Sequence, residues 1–325
     1  MSRRDFMTIL IGAAAYPLLV GAQQKAMPVI GFIGGFNPGM TAQIALQDVA
    51  FRQGLAETGY VDGQNVAIEY HGAEGRLDRL PALAADLVAR KVDVIVTQGG
   101  EPASLAVKNA TATIPIVFHT SDDPVATGLV ASLARPGGNL TGVSQMYAEM
   151  MPKLLELLLE LVPQARVIAL LVHPDDPSTE RIIGYMQEAV HAKRVDLRVL
   201  KARTESETDA AFATLVEVPA DGLVLGPFGF RRQIAALALR HSVPAIALPR
   251  DFPEVGGLIS YGPSLTGIYH LKGIYAGRIL NGAKPADLPV QQPTRFELFI
   301  NLKTATALGL IVPQTLLARA DVVIE

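Results

Sequence analysis

Cysteine and tryptophan are both absent from the 325 residues of this sequence. Without cysteine the chain has no disulfide, no catalytic thiol, no thiolate-bound zinc and no cysteine for a lipid anchor. The sequence also lacks a large excess of either charge: the formal net charge is −3, and no run of five or six like charges occurs. A nucleic-acid partner needs a clustered positive surface, so we expect none.

The N-terminus carries the features of an export signal. Arg3 and Arg4 precede an almost wholly apolar stretch over residues 6–20, and Ala22 supplies a small-residue cleavage site. Residues 6–20 are too few to anchor the chain in a membrane, because spanning a bilayer takes about 20 apolar residues. We therefore predict a cleavable signal peptide over residues 1–22. The paired arginines fit both the twin-arginine and the general secretion route. We expect a periplasmic protein.

Short apolar runs alternate with longer amphipathic stretches, which is typical of parallel sheets with helices on both faces. The first half contains four such runs, and the second half repeats their order. The predicted strands lie at residues 28–35, 65–70, 92–100 and 114–119, then at 166–174 and 196–202 and within 220–229 and 242–253.

The spacing of marker residues is nearly constant between the two halves. Asp221 lies 128 residues after Asp93, and Pro253 lies 129 residues after Pro124. Unrelated apolar runs would not keep such a register across four strands. The sequence therefore predicts an α/β protein with two similar Rossmann-like lobes.

The glycine-rich residues 135–144 are predicted to connect the lobes, and the leucine-rich residues 151–163 to form a buried helix. From residue 256 onward the pattern predicts a helix, a strand and a short helix, which are too few for a third domain. This tail is expected to cross back and complete both lobes. The predicted limits are 28–143 with about 262–288 for lobe 1, and 144–261 with about 289–325 for lobe 2.

Polar side chains follow the predicted strands, and ligands of open parallel sheets bind beyond the carboxyl ends of the strands. A hydrolase could use His119, Ser121 and Asp122, a metal site could use the histidines and carboxylates, and a binding protein could use them to hold a small solute. Ser121 has no GxSxG elbow, and no HxH or HxxxH spacing pairs two metal ligands. We therefore expect no metal and no cofactor.

The aspartates near these histidines have an alternative role as helix caps. Asp122 and Asp123 precede PVATGLVASLA, which is predicted to be a helix, and Asp175, Asp176 and Ser178 precede another. Such residues accept hydrogen bonds from the free N–H groups of a first helical turn. We favour capping over metal binding for both sets.

A glycine pair precedes the helix that is predicted to start near Pro102. Backbone N–H groups of Gly99 and Gly100, together with the helix dipole, could hold an anion such as a carboxylate. Glu101 could instead complement the dipole by itself. Both interpretations stay open at this point.

Several long, ordered motifs resemble the ABC-transporter substrate-binding proteins of the tryptophan/tyrosine-type family. They include FRQGLAETGYVDGQNVAIEY (51–70), IPIVFHTSDDPVATGLVASLARPGGNLTGVS (114–144) and ILNGAKPADLPVQQPTRFELFINLKTATALGL (279–310). The resemblance covers nearly the whole mature chain. It implies a type I periplasmic-binding-protein fold with three crossovers, a small solute between two closing lobes, and docking on an inner-membrane permease with its ATPase. We expect a monomer.

The resemblance also implies aromatic amino acids as solutes and places the binding positions at strand ends and crossovers. One stretch departs from the family: a typical TSGTPAA-like segment reads TQGGEPA here, which adds Glu101. That carboxylate could pair with an ammonium group or select another compound. The implied binding positions are Phe36, Gln98, Gly99, His119, Thr120, Ser121, Asp122, Ser144, His173, Phe228, Arg250 and Tyr261.

The leading hypothesis is therefore a solute receptor for import that is not an enzyme. Two alternatives remain: a secreted hydrolase that uses His119 and Asp122, and a ligand-sensing subunit for a membrane receptor. A hydrolase would lose turnover when His119 is replaced, whereas a receptor would change only in affinity.

Overall fold

The computed structural model describes residues 27–36, 42–227 and 229–325. The predicted signal peptide and Phe228 lie outside these residues. Within them the chain forms two α/β lobes, each a parallel or mostly parallel sheet with helices on both faces. The predicted fold class is confirmed.

The first lobe is built on a five-stranded sheet in the order β2-β1-β3-β4-β5, in which every pair is parallel. Its inner strands are buried on both faces, as their continuous apolar runs predict. The strands are β1 (Val29–Gly34), β2 (Ala67–Gly72), β3 (Val94–Gln98), β4 (Ile116–Thr120) and β5 (Leu140–Ser144), and the helices between them are α1 (Ala42–Ala56), α2 (Leu80–Ala89) and α3 (Glu101–Ala110).

The second lobe has a seven-stranded sheet in the order β12-β11-β10-β9-β8-β6-β7, which is parallel except between β10 and β11. Its strands are β6 (Val167–Val172), β7 (Asp196–Lys201), β8 (Gly222–Leu225), β9 (Ala245–Ala247), β10 (Ile259–Pro263), β11 (Phe296–Asn301) and β12 (Val322–Ile324). The later helices are α4 (Tyr147–Leu161), α5 (Thr179–Lys193), α6 (Glu205–Glu217), α7 (Arg231–Arg240), α8 (Asp251–Glu254), α9 (Leu265–Leu280), α10 (Leu302–Ala307) and α11 (Gln314–Leu317).

The regular spacing of aspartates in the sequence has a structural cause. Asp93 precedes β3, and its Oδ2 accepts a hydrogen bond of 2.8 Å from the Val29 N–H of β1. Asp221 precedes β8, and its Oδ2 accepts one of 2.9 Å from the Val167 N–H of β6. Asp321 repeats the arrangement between β12 and β11. Each carboxylate satisfies a backbone N–H near the start of the neighbouring strand, where the ladder offers no partner.

Three chain segments cross between the lobes. β5 leads into α4 through Gln145 and Met146, and β10 leads into α9 through Ser264. The third segment pairs with β5 on its way to β11, because the Ser144 N–H donates to the carbonyl oxygen of Gln291 at 3.0 Å. Parallel segments of this kind can act as a hinge. The residue limits given above for the two lobes stay a prediction.

The helix predicted after Asp123 does not form. Residues 121–139, all of which the structure describes, are turns before the start of β5. One helical turn closes where the Thr127 N–H donates to the Asp123 carbonyl at 3.0 Å, and Gly128 ends it with a φ of 73°. The Asp123 carboxylate accepts from the Val125 N–H within this turn. The prediction that Asp122 and Asp123 cap a helix was wrong.

Two further local predictions were also wrong. The connection expected over residues 135–144 ends in strand β5, since Thr141 and Val143 are β-branched, buried and paired with β4. Helix α5 starts after Ser178 as expected, but the Ser178 side chain makes no capping hydrogen bond. Asp176 accepts from the Ser178 N–H and so shapes the turn before the helix.

Helix α9 returns to the first lobe and packs against α1 at backbone distance. A Cβ atom on Gly273 would lie 2.1 Å from the Phe51 carbonyl oxygen, and one on Gly54 would lie 2.0 Å from the His270 carbonyl oxygen. Only glycine allows this approach. The two glycines therefore hold the C-terminal part of the chain on the first lobe.

We predict that Gly273→Ala lowers the free energy of unfolding by about 1–3 kcal/mol, because the added methyl group would have to push α1 and α9 apart. Gly184→Ala in α5 is the matched control. No atom lies within 4 Å of its Cβ position, so better helix propensity should raise stability by up to about 1 kcal/mol. Urea denaturation measures both, and equal effects of the two variants would contradict the packing argument.

Candidate functional site

The loops at the carboxyl ends of the strands in both sheets meet at a cavity of about 440 Å³ between the lobes. The first lobe contributes the segments after β3 and β4, and the second lobe contributes those after β6 and β8. The lining residues are Gly99, Gly100, Glu101, Pro102, Leu105, Thr120, Ser121, Asp122, Asp176, Pro177, Ser178 and Pro227. Both lobes thus form the walls of one site.

Four of the predicted binding positions line this cavity: Gly99, Thr120, Ser121 and Asp122. Ser144 lies directly behind them, where its hydroxyl donates a hydrogen bond of 2.7 Å to the Asp122 carbonyl oxygen. Ser144 therefore fixes the turn that carries the lining side chains.

The other described positions of the first lobe are not among the residues that line this cavity. Gln98 is buried, and its Nε2 donates to Oε1 of Gln47 at 3.3 Å. Phe36 stands edge-on to Tyr70, with 6.4 Å between the ring centroids. Both side chains pack against their own lobe and support the strand ends from behind.

In the second lobe, His173 holds the turn before α5, where its carbonyl oxygen accepts from the Asp176 N–H at 3.1 Å. Tyr261 stacks on Phe296, with 5.7 Å between the ring centroids. Arg250 lines a second cavity of about 220 Å³ beside the crossovers. These three predicted positions therefore lie away from the lining of the larger cavity.

Arg250 is already engaged within its own lobe. Its guanidinium lies 4.7 Å from the centroid of the Phe299 ring and within 4 Å of the carboxylates of Glu254 and Glu297. The second cavity also contains Arg231, which pairs with Asp251 at 2.8 Å. The smaller cavity thus contains arginines that are paired with carboxylates of their own lobe, whereas the charged residues that line the larger cavity are carboxylates.

An ion pair connects the two lobes directly. Arg181 extends from α5 in the second lobe to the carboxylate of Asp122 in the first. The Asp122 side chain is buried, so its charge needs this partner. Sequence spacing could not reveal the pair, because Arg181 has the position of an ordinary polar residue on an amphipathic helix.

Glu101 is the first residue of α3 and projects into the cavity. Burial raises the pKa of Glu101, and the negative charge of Asp176 on the opposite lobe raises it further. The nearby Thr127 hydroxyl and the charge of Arg181 act in the opposite direction. The cavity is thus a place where negative charge is poorly compensated.

His119 does not have the surroundings of a catalytic base. Its ring is buried, and burial together with the charge of Lys272 lowers the pKa of His119 to about 3. Neither ring nitrogen is hydrogen-bonded to Ser121 or Asp122. Among the described residues no group of three or more His, Asp and Glu side chains could hold a metal ion.

Lys272 is a buried cation that our sequence reasoning missed. It projects from α9 into the first lobe, where its Nζ donates to the Thr97 carbonyl oxygen at 2.7 Å and lies 3.9 Å from the centroid of the Tyr269 ring. Burial lowers the pKa of Lys272 to about 7. A signal existed in the sequence, because the residue lies four positions after Ile268 and four before Ala276 on the apolar face of the helix.

The model of one protein family, described as ABC transporter substrate binding protein, matches residues 43–324. The chain belongs to this family. The resemblance inferred from the sequence motifs is confirmed. No helix in the described ranges is long and apolar enough to cross a membrane.

Relatives of this substrate-binding protein come from several bacteria. A tyrosine-binding protein of Clostridioides difficile (strain R20291) is 29% identical over 268 residues, which cover 80% of this chain and 75% of the relative. The crystal structure of an ABC domain from Streptococcus pneumoniae in complex with L-Trp superposes with a TM-score of 0.79 at 25% identity, and the match covers 91% and 99% of the two chains.

A ligand-free, open structure of a Clostridium difficile substrate-binding protein with adhesive properties gives a TM-score of 0.76 at 24% identity, again over 91% and 99% of the two chains. At this level of identity the likeness shows the fold. These two solved structures therefore share the two-lobed fold of this chain.

We predict that the buried lysine makes stability depend on pH. The pKa of Lys272 falls from 10.5 to about 7 on folding, so the unfolded chain binds an additional proton between these values. Stability should therefore rise with pH across this window, by on the order of 2–3 kcal/mol between pH 7 and 9.5.

Lys272→Met should abolish this rise, whereas the exposed control Lys303→Met should keep it. Urea denaturation of the three proteins at both pH values measures the effect. Parallel pH profiles for the wild type and Lys272→Met would contradict the prediction.

Proposed function

We propose that this substrate-binding protein is an exported receptor that captures a small, amino-acid-like or aromatic solute between its lobes and delivers it to an importer. The observation that carries the proposal is the cavity whose walls come from both lobes, with the Arg181–Asp122 ion pair beside it. A site of this kind changes when the lobes move, so solute binding and lobe closure are coupled.

Size and lining support a small organic solute. Cavities that hold such molecules measure about 300–1,000 Å³ and are largely apolar with a few polar groups. The 440 Å³ cavity has this character, with prolines and Leu105 beside Thr120, Ser121 and three carboxylates. The tyrosine-binding relative and the L-Trp complex agree with an amino-acid-like solute.

We further propose that the protein has no catalytic activity. His119 is buried and neutral, Asp122 is paired with Arg181, and Ser121 has no base beside it. A hydrolase would need a nucleophile and a base within hydrogen-bond reach of one another. The arrangement supports solute binding better than hydrolysis.

The remaining parts of the proposal follow from the family and the N-terminus. An importer consists of an inner-membrane permease with its ATPase, and the closed lobes of a periplasmic monomer would form the surface that the permease recognises. Residues 1–22 would direct export and be cleaved. Gly99, Thr120, Ser121 and Asp122 are the proposed contacts to the solute on the first lobe.

The test is a thermal-shift screen of refolded protein against amino acids and aromatic acids, followed by small-angle X-ray scattering with each compound that binds. Refolding removes any solute retained from the expression host. We expect saturable binding and a smaller radius of gyration at saturation. An unchanged radius with a compound bound at micromolar affinity would contradict closure.

A bulky side chain in the cavity should block binding without unfolding the protein. We predict that Ser121→Trp lowers affinity at least tenfold, because the indole would occupy space between the lobes. Ser206→Trp on the exposed face of α6 is the matched control and should bind normally. Isothermal titration calorimetry with a compound from the screen measures both. Normal binding by Ser121→Trp would place the site elsewhere.

A further inference from the structure

We propose that the solute carries a cationic nitrogen, which binds between Glu101 of the first lobe and Asp176 of the second. The inference rests on the proposed function and specifies the class of solute. The cavity between the lobes is lined by more carboxylates than cationic side chains.

All charged side chains among the described residues that line this cavity are carboxylates: Glu101, Asp122 and Asp176. Asp122 is neutralised by Arg181. Glu101 and Asp176 form no ion pair within the described part of the chain. These two carboxylates therefore face the same space from opposite lobes, and neither is ion-paired with a cation of the described residues.

The hydrogen bonds within the protein leave acceptor capacity on these carboxylates. Oδ1 of Asp176 accepts from the N–H and the hydroxyl of Ser178, at 2.8 Å and 2.5 Å, whereas its Oδ2 accepts no hydrogen bond from any described residue. Burial and the charge of Asp176 raise the pKa of Glu101, so that its charged form is disfavoured. A positive charge between the two groups would favour the charged form of both.

This arrangement links solute charge to closure. Lobe closure moves Glu101 towards Asp176, and two carboxylates in a partly dry space repel each other. A bound ammonium or related cation turns this repulsion into two attractions, so the cationic solute favours the closed form. A solute with a carboxylate alone would add a third negative charge and oppose closure.

The rest of the lining suggests what is attached to the nitrogen. Pro102, Leu105, Pro177 and Pro227 give the cavity apolar walls. The solute is therefore a small molecule with an apolar or aromatic body and a cationic nitrogen, which includes amino acids and the corresponding amines.

The experiment compares matched compounds by isothermal titration calorimetry with the refolded mature protein. One series is L-tyrosine, tyramine and 3-(4-hydroxyphenyl)propionate, and the second is L-tryptophan, tryptamine and indole-3-propionate. If a series binds, the compounds with an amino group should bind more tightly than the others. We expect the acid that lacks the amino group to bind at least tenfold more weakly than the amino acid or the amine of the same series.

Glu101→Gln and Asp176→Asn should each weaken binding of the compound that carries the ammonium group at least tenfold, since each substitution removes a negative charge and keeps the shape of the side chain. Glu188→Gln on the exposed face of α5 is the control and should bind as the wild type does. Circular dichroism confirms that each variant is folded.

The possible failures are distinguishable. Tighter or equal binding of the acid, or wild-type affinity in both Glu101→Gln and Asp176→Asn, would overturn this inference and leave the proposed receptor function standing. Absence of binding by all six compounds would overturn the amino-acid-like or aromatic solute class proposed above, and this inference with it.

Discussion

The common direction of the parallel strands determines where the binding cavity of this protein lies. Strands that run the same way leave their carboxyl ends, and the polar turns that follow them, at one edge of each sheet. Because the two lobes face each other at those edges, turns that are distant in sequence form one cavity. The aspartates before β3 and β8 support this order by completing the hydrogen bonds at the opposite edge.

The connections between the lobes explain how a rigid fold can still respond to a solute. Three crossing segments leave each lobe its own core, while α9 packs on α1 through glycine contacts. Lys272 places its cation behind the end of β3 and so supports the first wall of the cavity from inside the lobe. The side chains whose contacts would change when the lobes move are those in the cleft, where Arg181 bridges the lobes and Glu101 faces Asp176.

Local sequence patterns predicted the fold well. Apolar runs and helical periodicity reflect structure that is local in sequence, and the repeated Asp93 and Asp221 reflect contacts between neighbouring strands of a sheet. These patterns failed in two places. Gly128 has a positive φ and ended the turn after Asp123, and burial against β4 made residues 140–144 a strand. The cavity walls of the first lobe were predicted in part. Those of the second lobe and the partner of Asp122 depend on how the lobes face each other, which no local pattern encodes.

If solute binding closes the lobes, a distance measured across the cleft must shorten. Because the chain has no cysteine, Asn109→Cys on α3 and Gln187→Cys on α5 give one spin label on each lobe at exposed sites. Pulsed electron paramagnetic resonance then measures the distance between the labels with and without a saturating solute. We expect a shorter and narrower distance distribution with the solute bound. An identical distribution in both states would contradict it.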